Sequence, residues 1–288
     1  MKQLTRFRHA MGKRLRCNNE WVRILMAEFL GTALLILLGD GVVAQAVLSH
    51  GSSGNPTTVS IGWGMAIAAG VYVSGGASGG HINPAVTLAL CIVGNCQWKL
   101  LPAYWIGQYF GAFIASSILY GVYSGALNKF DQGNRMVSGP TATASIFATY
   151  PLDHVSNGQT FFDQIVSTGI LLLIVCAITD ERNMEVPKHI VPLAIGTVFV
   201  AILSAFGFNC GGAMNPARDF SPRVFTAVAG WGSETFSYRN YWFWVPIIGP
   251  YLGAIVGAAL YQLLIAIHWP MSHQVSGLGT QKESLTLQ

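Results

Sequence analysis

Charge is what this sequence has least of. Across 288 residues, Asp, Glu, Lys and Arg together make up 10%, against roughly 25% in an average soluble domain. So few charges cannot cover a water-facing surface, which argues against a soluble globular fold. With 52% hydrophobic residues and a mean hydropathy of +0.46, the solvent that suits the chain is lipid. Cysteine is scarce as well. Cys17, Cys91, Cys96, Cys176 and Cys210 are odd in number and lie outside the small secreted context of a disulfide framework, so they are read as free thiols. Every Asn-x-Ser/Thr triplet fails, including Asn55, which precedes Pro56, and no N-glycosylation site is expected. The sequence offers neither a nucleophile–base set nor a metal-spaced His/Cys cluster, so no enzyme, metal or cofactor is expected. Nor does a cleavable signal peptide open the chain, because the basic stretch 2–23 runs into an apolar segment of spanning length.

What is present is apolar sequence in long blocks. Six segments, 21–38, 58–74, 101–123, 161–179, 190–208 and 241–268, are expected to cross the membrane as helices. An even number of crossings puts both termini on one side. Eleven of the 16 Lys and Arg residues fall there, seven of them between Lys2 and Arg23, and the positive-inside rule makes that side cytoplasmic. The expected organisation is a cytoplasmic tail at 1–20, one transmembrane domain at 21–270 and a second cytoplasmic tail at 271–288. No nucleic-acid partner is implied, and the basic N-terminal tail reads as a topology signal with weak attraction to membrane lipid.

Two further segments, 81–93 and 214–227, are too short to span, and each holds an Asn-Pro step near its start. A proline just inside a helix start suits the N-terminus, since its missing N–H had no partner there. They are expected to be half-helices entering from re-entrant loops. Irregular backbone at membrane depth is tolerated only where protein buries it or where it lines a water-filled cavity.

Repetition organises the whole. Gly75, Gly79, Gly80, Asn83, Pro84 and Ala85 recur 132 residues later as Gly207, Gly211, Gly212, Asn215, Pro216 and Ala217. The first repeat covers about 21–125, the second about 160–270, and 126–159 connects them. Three crossings per half is an odd number, so the second copy is inverted in the membrane. The fold expected is therefore an all-α membrane protein, six transmembrane helices plus two re-entrant half-helices in an inverted internal repeat. The half-helix N-termini meet near the midplane, each carrying the equivalent of about half a positive charge. That charge opposes cations and protons while the Asn83 and Asn215 amides donate to neutral oxygens. The glycines before each Asn-Pro-Ala suit an extended backbone whose carbonyls, of Gly79, Gly80 and His81 and of Gly211, Gly212 and Ala213, face the lumen.

These motifs, with Ala27-Glu28-Phe29-Leu30-Gly31-Thr32 and Asn215-Pro216-Ala217-Arg218-Asp219, give a sequence that resembles the aquaporin (major intrinsic protein) family, and within it the glycerol-conducting aquaglyceroporins, over about 20–270. The resemblance implies an aquaporin-like homotetramer with one pore per subunit, passing water, glycerol and often urea or similar small neutral solutes. It places Arg218 and Trp63 at the selectivity constriction, with Leu203 and Gly212 at its two other positions. Water-selective relatives carry a histidine where Leu203 stands. Asp219 matches the acidic residue marking the glycerol branch, expected to shape its loop. Glu28 and Gln164 match buried residues that hold the loop backbones. His81 reads either as a structural histidine or as a pH sensor.

Two other readings bear on function. A water-restricted channel of the same fold is disfavoured by Trp63, Asp219 and the missing histidine. A secondary transporter also uses inverted repeats, but it needs intramembrane carboxylates for coupling, and only Glu28 stands out deep in a spanning segment. The multi-pass protein is expected in the plasma membrane.

Overall fold

The computed structural model describes residues 11–270; the segment 271–288 and Lys2, Arg6, Arg8 and Lys282 lie outside the described residues. Helix starts are written into the sequence. α1 (Glu20–Leu48) begins behind Asn19, whose side chain accepts from the Val22 N–H. α2 (Pro56–Ser78) opens on a reciprocal capping box between Asn55 and Thr58. α3 (Pro84–Ile92) is the first half-helix, and α4 (Leu101–Asp131) closes the first repeat. α5 (Asn157–Thr179) opens on a second capping box, Ser156 with Gln159. α6 (Val191–Phe206), the half-helix α7 (Pro216–Thr226), the short α8 (Glu234–Tyr241) and α9 (Val245–Leu264) follow.

Among the described residues, five helical stretches are long and apolar enough to cross a membrane. The sixth expected span, 190–208, is corrected to the 16 residues of α6, about 24 Å at 1.5 Å per residue. Pro192 sits in its first turn, and the chain leaves the helix at Gly207.

The two repeats pack alike. α1 lies against α4, and α5 against α9. Gly107 and Gly111 meet the α1 backbone at Leu25 and Phe29, and Gly253 and Gly257 meet the α5 backbone at Ile165 and Gly169. No Cβ fits at these crossings, so these small-residue faces serve packing within the subunit. The repeats are joined where α2 crosses α6, Gly64 against Gly196. Apolar side chains such as Met26, Leu30, Ile61, Ile106, Phe110 and Leu263 are exposed on the outside of the bundle, while Glu28, Gln108, Gln164 and Asp219 are fully buried within it. That inversion of the soluble pattern is the signature of a multi-pass membrane protein.

Candidate functional site

Each half-helix is started by its own asparagine. Asn83 Oδ1 accepts from the Ala85 N–H at 2.9 Å, and Asn215 Oδ1 from those of Ala217 and Arg218 at 3.0 and 3.2 Å. The amide nitrogens reach across. Asn83 Nδ2 donates to the Met214 carbonyl and Asn215 Nδ2 to the Ile82 carbonyl, both at 2.8 Å. Met214 and Ile82 hold the left-handed backbone, φ 48° and 43°, that turns each carbonyl toward the other loop. A primary amide has two N–H donors, so one on each asparagine remains for the lumen.

The first loop hangs on Glu28. Its Oε1 accepts from the Ser78 hydroxyl at 2.5 Å and the His81 N–H at 3.0 Å, its Oε2 from the Ile82 N–H at 2.7 Å and Gln108 Nε2 at 2.8 Å. Gln164 stands at the matching place in the second repeat. Its Oε1 accepts from the Met214 N–H at 3.1 Å, and its Nε2 donates to the Gly211 carbonyl and Cys210 Sγ, both at 3.3 Å. His81 stacks on Tyr104 at 4.3 Å between ring centroids, with Nδ1 3.2 Å from the Thr87 hydroxyl.

A cavity of about 960 Å³ runs from a mouth at Asn95, Arg182 and Lys188, past both asparagines, to Trp63, Phe199 and Arg218. Gly79, Gly80, His81 and Ala213 line one wall; Leu35, Val71, Leu171, Val175 and Ile195 line the rest. Polar loop faces apolar helix along its length. At the far end the Arg218 guanidinium lies over the Trp63 ring, 4.5 Å from its centroid, and Nη1 donates to the Phe147 carbonyl at 3.1 Å.

Two of the expected constriction residues are not among those lining this cavity. Leu203 and Gly212 do not line this cavity, and the Leu203 side chain occupies the space into which any side chain at 212 would project. Gly211 does not line it either, its carbonyl being engaged by Gln164. Phe199, one helical turn before Leu203, faces the lumen instead, 6.5 Å from Trp63 between ring centroids.

Asp219 is one layer back from the lumen. Its Oδ2 accepts from the Thr149 N–H and hydroxyl, at 2.8 and 2.5 Å, and its Oδ1 from Arg223 Nε and Nη2, at 3.0 and 2.8 Å. Arg223 also donates to the Thr149 and Thr235 carbonyls, at 2.5 and 2.7 Å, and stacks over Tyr150 at 4.5 Å. Asp219 therefore pairs with Arg223, and Arg218 is left to the lumen. Sequence reasoning missed Arg223 and Phe199, although both lie four residues from a residue it singled out, on the same helix face. It also missed Asp40, a second carboxylate deep in a spanning helix besides Glu28, fully buried with Oδ1 4.0 Å from Arg218 Nη1.

The fold and much of the sequence recur in known proteins. The major intrinsic protein family matches residues 16–261. Human aquaporin-9 is 48% identical over 258 residues, spanning 90% of this chain and 88% of that protein. Human aquaporin-10 is 47% identical over 256 residues, spanning 89% of this chain and 85% of that protein. The solved structure of the aquaglyceroporin from Plasmodium falciparum is similar with a TM-score of 0.77 and 32% identity, over 86% of this chain and 98% of that one. A lumen bounded by two clasped Asn-Pro-Ala half-helices, in a chain with these relatives, makes the protein a member of the major intrinsic protein family, on its aquaglyceroporin branch.

Proposed function

We propose that this protein is a passive transmembrane channel that conducts water and small neutral solutes, chiefly glycerol and with it urea, while excluding ions and protons. The observation that carries this reading is the pair of reciprocal amide-to-carbonyl bonds, which hold two positive half-helix ends nose to nose beside the lumen. Such ends oppose cations and protons. A solute with hydroxyls on one side and carbon on the other fits a passage with a polar wall and an apolar one. Trp63 and Arg218 form the constriction, Trp63 and Phe199 facing the carbon backbone and Arg218 donating to hydroxyls. Leu203 fills the space beside Gly212, so these two shape the constriction from behind. Passive flow is favoured over coupled transport because Glu28 and Asp219 each hold four donors and are committed to the loops, and Asp40, which holds none, does not line the cavity.

The apolar exterior supports contact with lipid and with further copies in a homotetramer, and the basic residues Arg14 and Arg16 before α1 and Arg23 near its start support cytoplasmic termini, in the plasma membrane. The test is reconstitution in liposomes. Under sucrose the vesicles shrink through water flow; under glycerol or urea they shrink and then reswell at rates well above protein-free vesicles. Fast shrinkage with glycerol reswelling at the protein-free rate overturns the glycerol assignment.

A further inference from the structure

Asp40 is the buried group that the site as described leaves unused. It lies in α1 at 0% exposure, and neither carboxylate oxygen has a hydrogen-bond partner. A carboxylate inside a membrane protein is expensive unless something compensates it, and by default it marks function. Glu28 and Asp219 hold four donors each, and Asp163 accepts from Asn209 at 2.7 Å. Asp40 has instead one ionic neighbour, Arg218 Nη1 at 4.0 Å. Arg218 Nε is likewise buried without a partner. A carboxylate with no hydrogen bond, behind the lumen, thus sits beside a lumen-lining guanidinium whose one hydrogen bond goes to the Phe147 carbonyl.

The surroundings extend the link. Gly39, the residue before Asp40, leaves the space that the Trp63 ring fills, and a Cβ at 39 would strike that ring. One turn of α1 therefore backs both Trp63 and Arg218. Asp219 cannot serve Arg218 in the same way, being taken by Arg223 and Thr149. At this separation in a low-dielectric interior the attraction between unit charges is many times its value in water.

We propose that Asp40 is a positioning residue of the constriction: from outside the lumen, its carboxylate holds the Arg218 guanidinium against Trp63 and offsets its charge. Solute selection at this level is then set partly from α1. The inference rests on the reading of Trp63 and Arg218 as the constriction. Without the carboxylate, Arg218 and the two half-helix ends leave an uncompensated positive centre, which lowers the preference for neutral glycerol and admits small anions.

The test uses full-length protein in liposomes at equal incorporation: wild type, Asp40→Asn, Arg218→Val and the double variant. The readouts are the glycerol-to-water permeability ratio and formate-driven swelling. Asp40→Asn is expected to change the ratio about threefold or more, the size of coupling found between contacting residues, to raise formate entry, and to change neither in the Arg218→Val background. Equal changes in both backgrounds would mean that Asp40 acts by packing alone and overturn the inference. An unchanged Asp40→Asn beside an altered Arg218→Val overturns the inference alone, whereas an unaltered Arg218→Val overturns the constriction reading itself. Should Asp40→Asn fail to incorporate, recovery of yield in the double variant supports the pairing, and yield that is not recovered refutes it.

Discussion

The two half-helix loops are copies of one design, yet they are held differently. The first loop, at 79–83, hangs from a carboxylate: Glu28 takes two of its backbone N–H groups, and α3 carries no charged side chain. The second loop, at 211–215, hangs from an amide, Gln164, with one N–H accepted and one carbonyl engaged. Its half-helix makes up the difference with charges of its own. Asp219 and Arg223 tie α7 to Thr149, in the connection between α4 and α5, and to Thr235 in α8. The two copies share the asparagines, but the anchoring charge stands on the spanning helix in the first and on the half-helix in the second. The half-helix that carries Arg218 is thereby fastened by charges of its own.

This contrast can be broken from either side. The largest effect is expected for Arg223→Met, which leaves the buried Asp219 carboxylate without its partner at about 3–5 kcal/mol, read as a collapse of the thermal unfolding midpoint in detergent. Glu28→Ala strands the His81 and Ile82 N–H groups and the Gln108 amide, for about 3 kcal/mol; Glu28→Gln, which keeps an acceptor, should recover part of it. Gln164→Ala should cost only about 1–2 kcal/mol, because fewer groups lose partners. If it matches Glu28→Ala in the same melt, the two loops are anchored equally and the contrast fails.

The smallest effect concerns the helix ends. α5 ends at Asp180, a charged cap, whereas its repeat mate α1 ends at the uncharged Ser49. Burial alone would raise the Asp180 carboxyl, but bonds from the Arg182 side chain and N–H and from the Tyr261 hydroxyl bring it down to about 2. A carboxyl depressed in the folded state stabilises above its unfolded value near 4 and loses that contribution as pH falls toward 2. The wild-type melting midpoint should therefore drop more between pH 5 and pH 3 than that of Asp180→Asn, and parallel drops would remove Asp180 as the cause.

The elements of this contrast were unequally legible in the sequence. The Asn-Pro-Ala copies could be found because repetition at fixed offset survives without any knowledge of packing, and Glu28 and Gln164 because they sit at matching depth in matching helices. Asp40, Phe199 and Arg223 belong to no repeated motif, and their meaning lies in what they approach across the bundle. Position alone is also too little at Leu203. Counting back from Asn215 brings it to the constriction, but a side chain opposite a glycine turns into the empty volume there, and Phe199 is left facing the lumen. The length of α6 was overread because Gly207 and Phe208 continue the apolar run beyond the helix.

The reciprocal bonds of Asn83 and Asn215 act as a clasp with two pins. Neither loop can withdraw without unseating the other, so the middle of the passage behaves as a fixed orifice. The mouth differs: there Glu181 and Lys188, an exposed pair 3.4 Å apart, are free to rearrange in a way that the clasped centre is not.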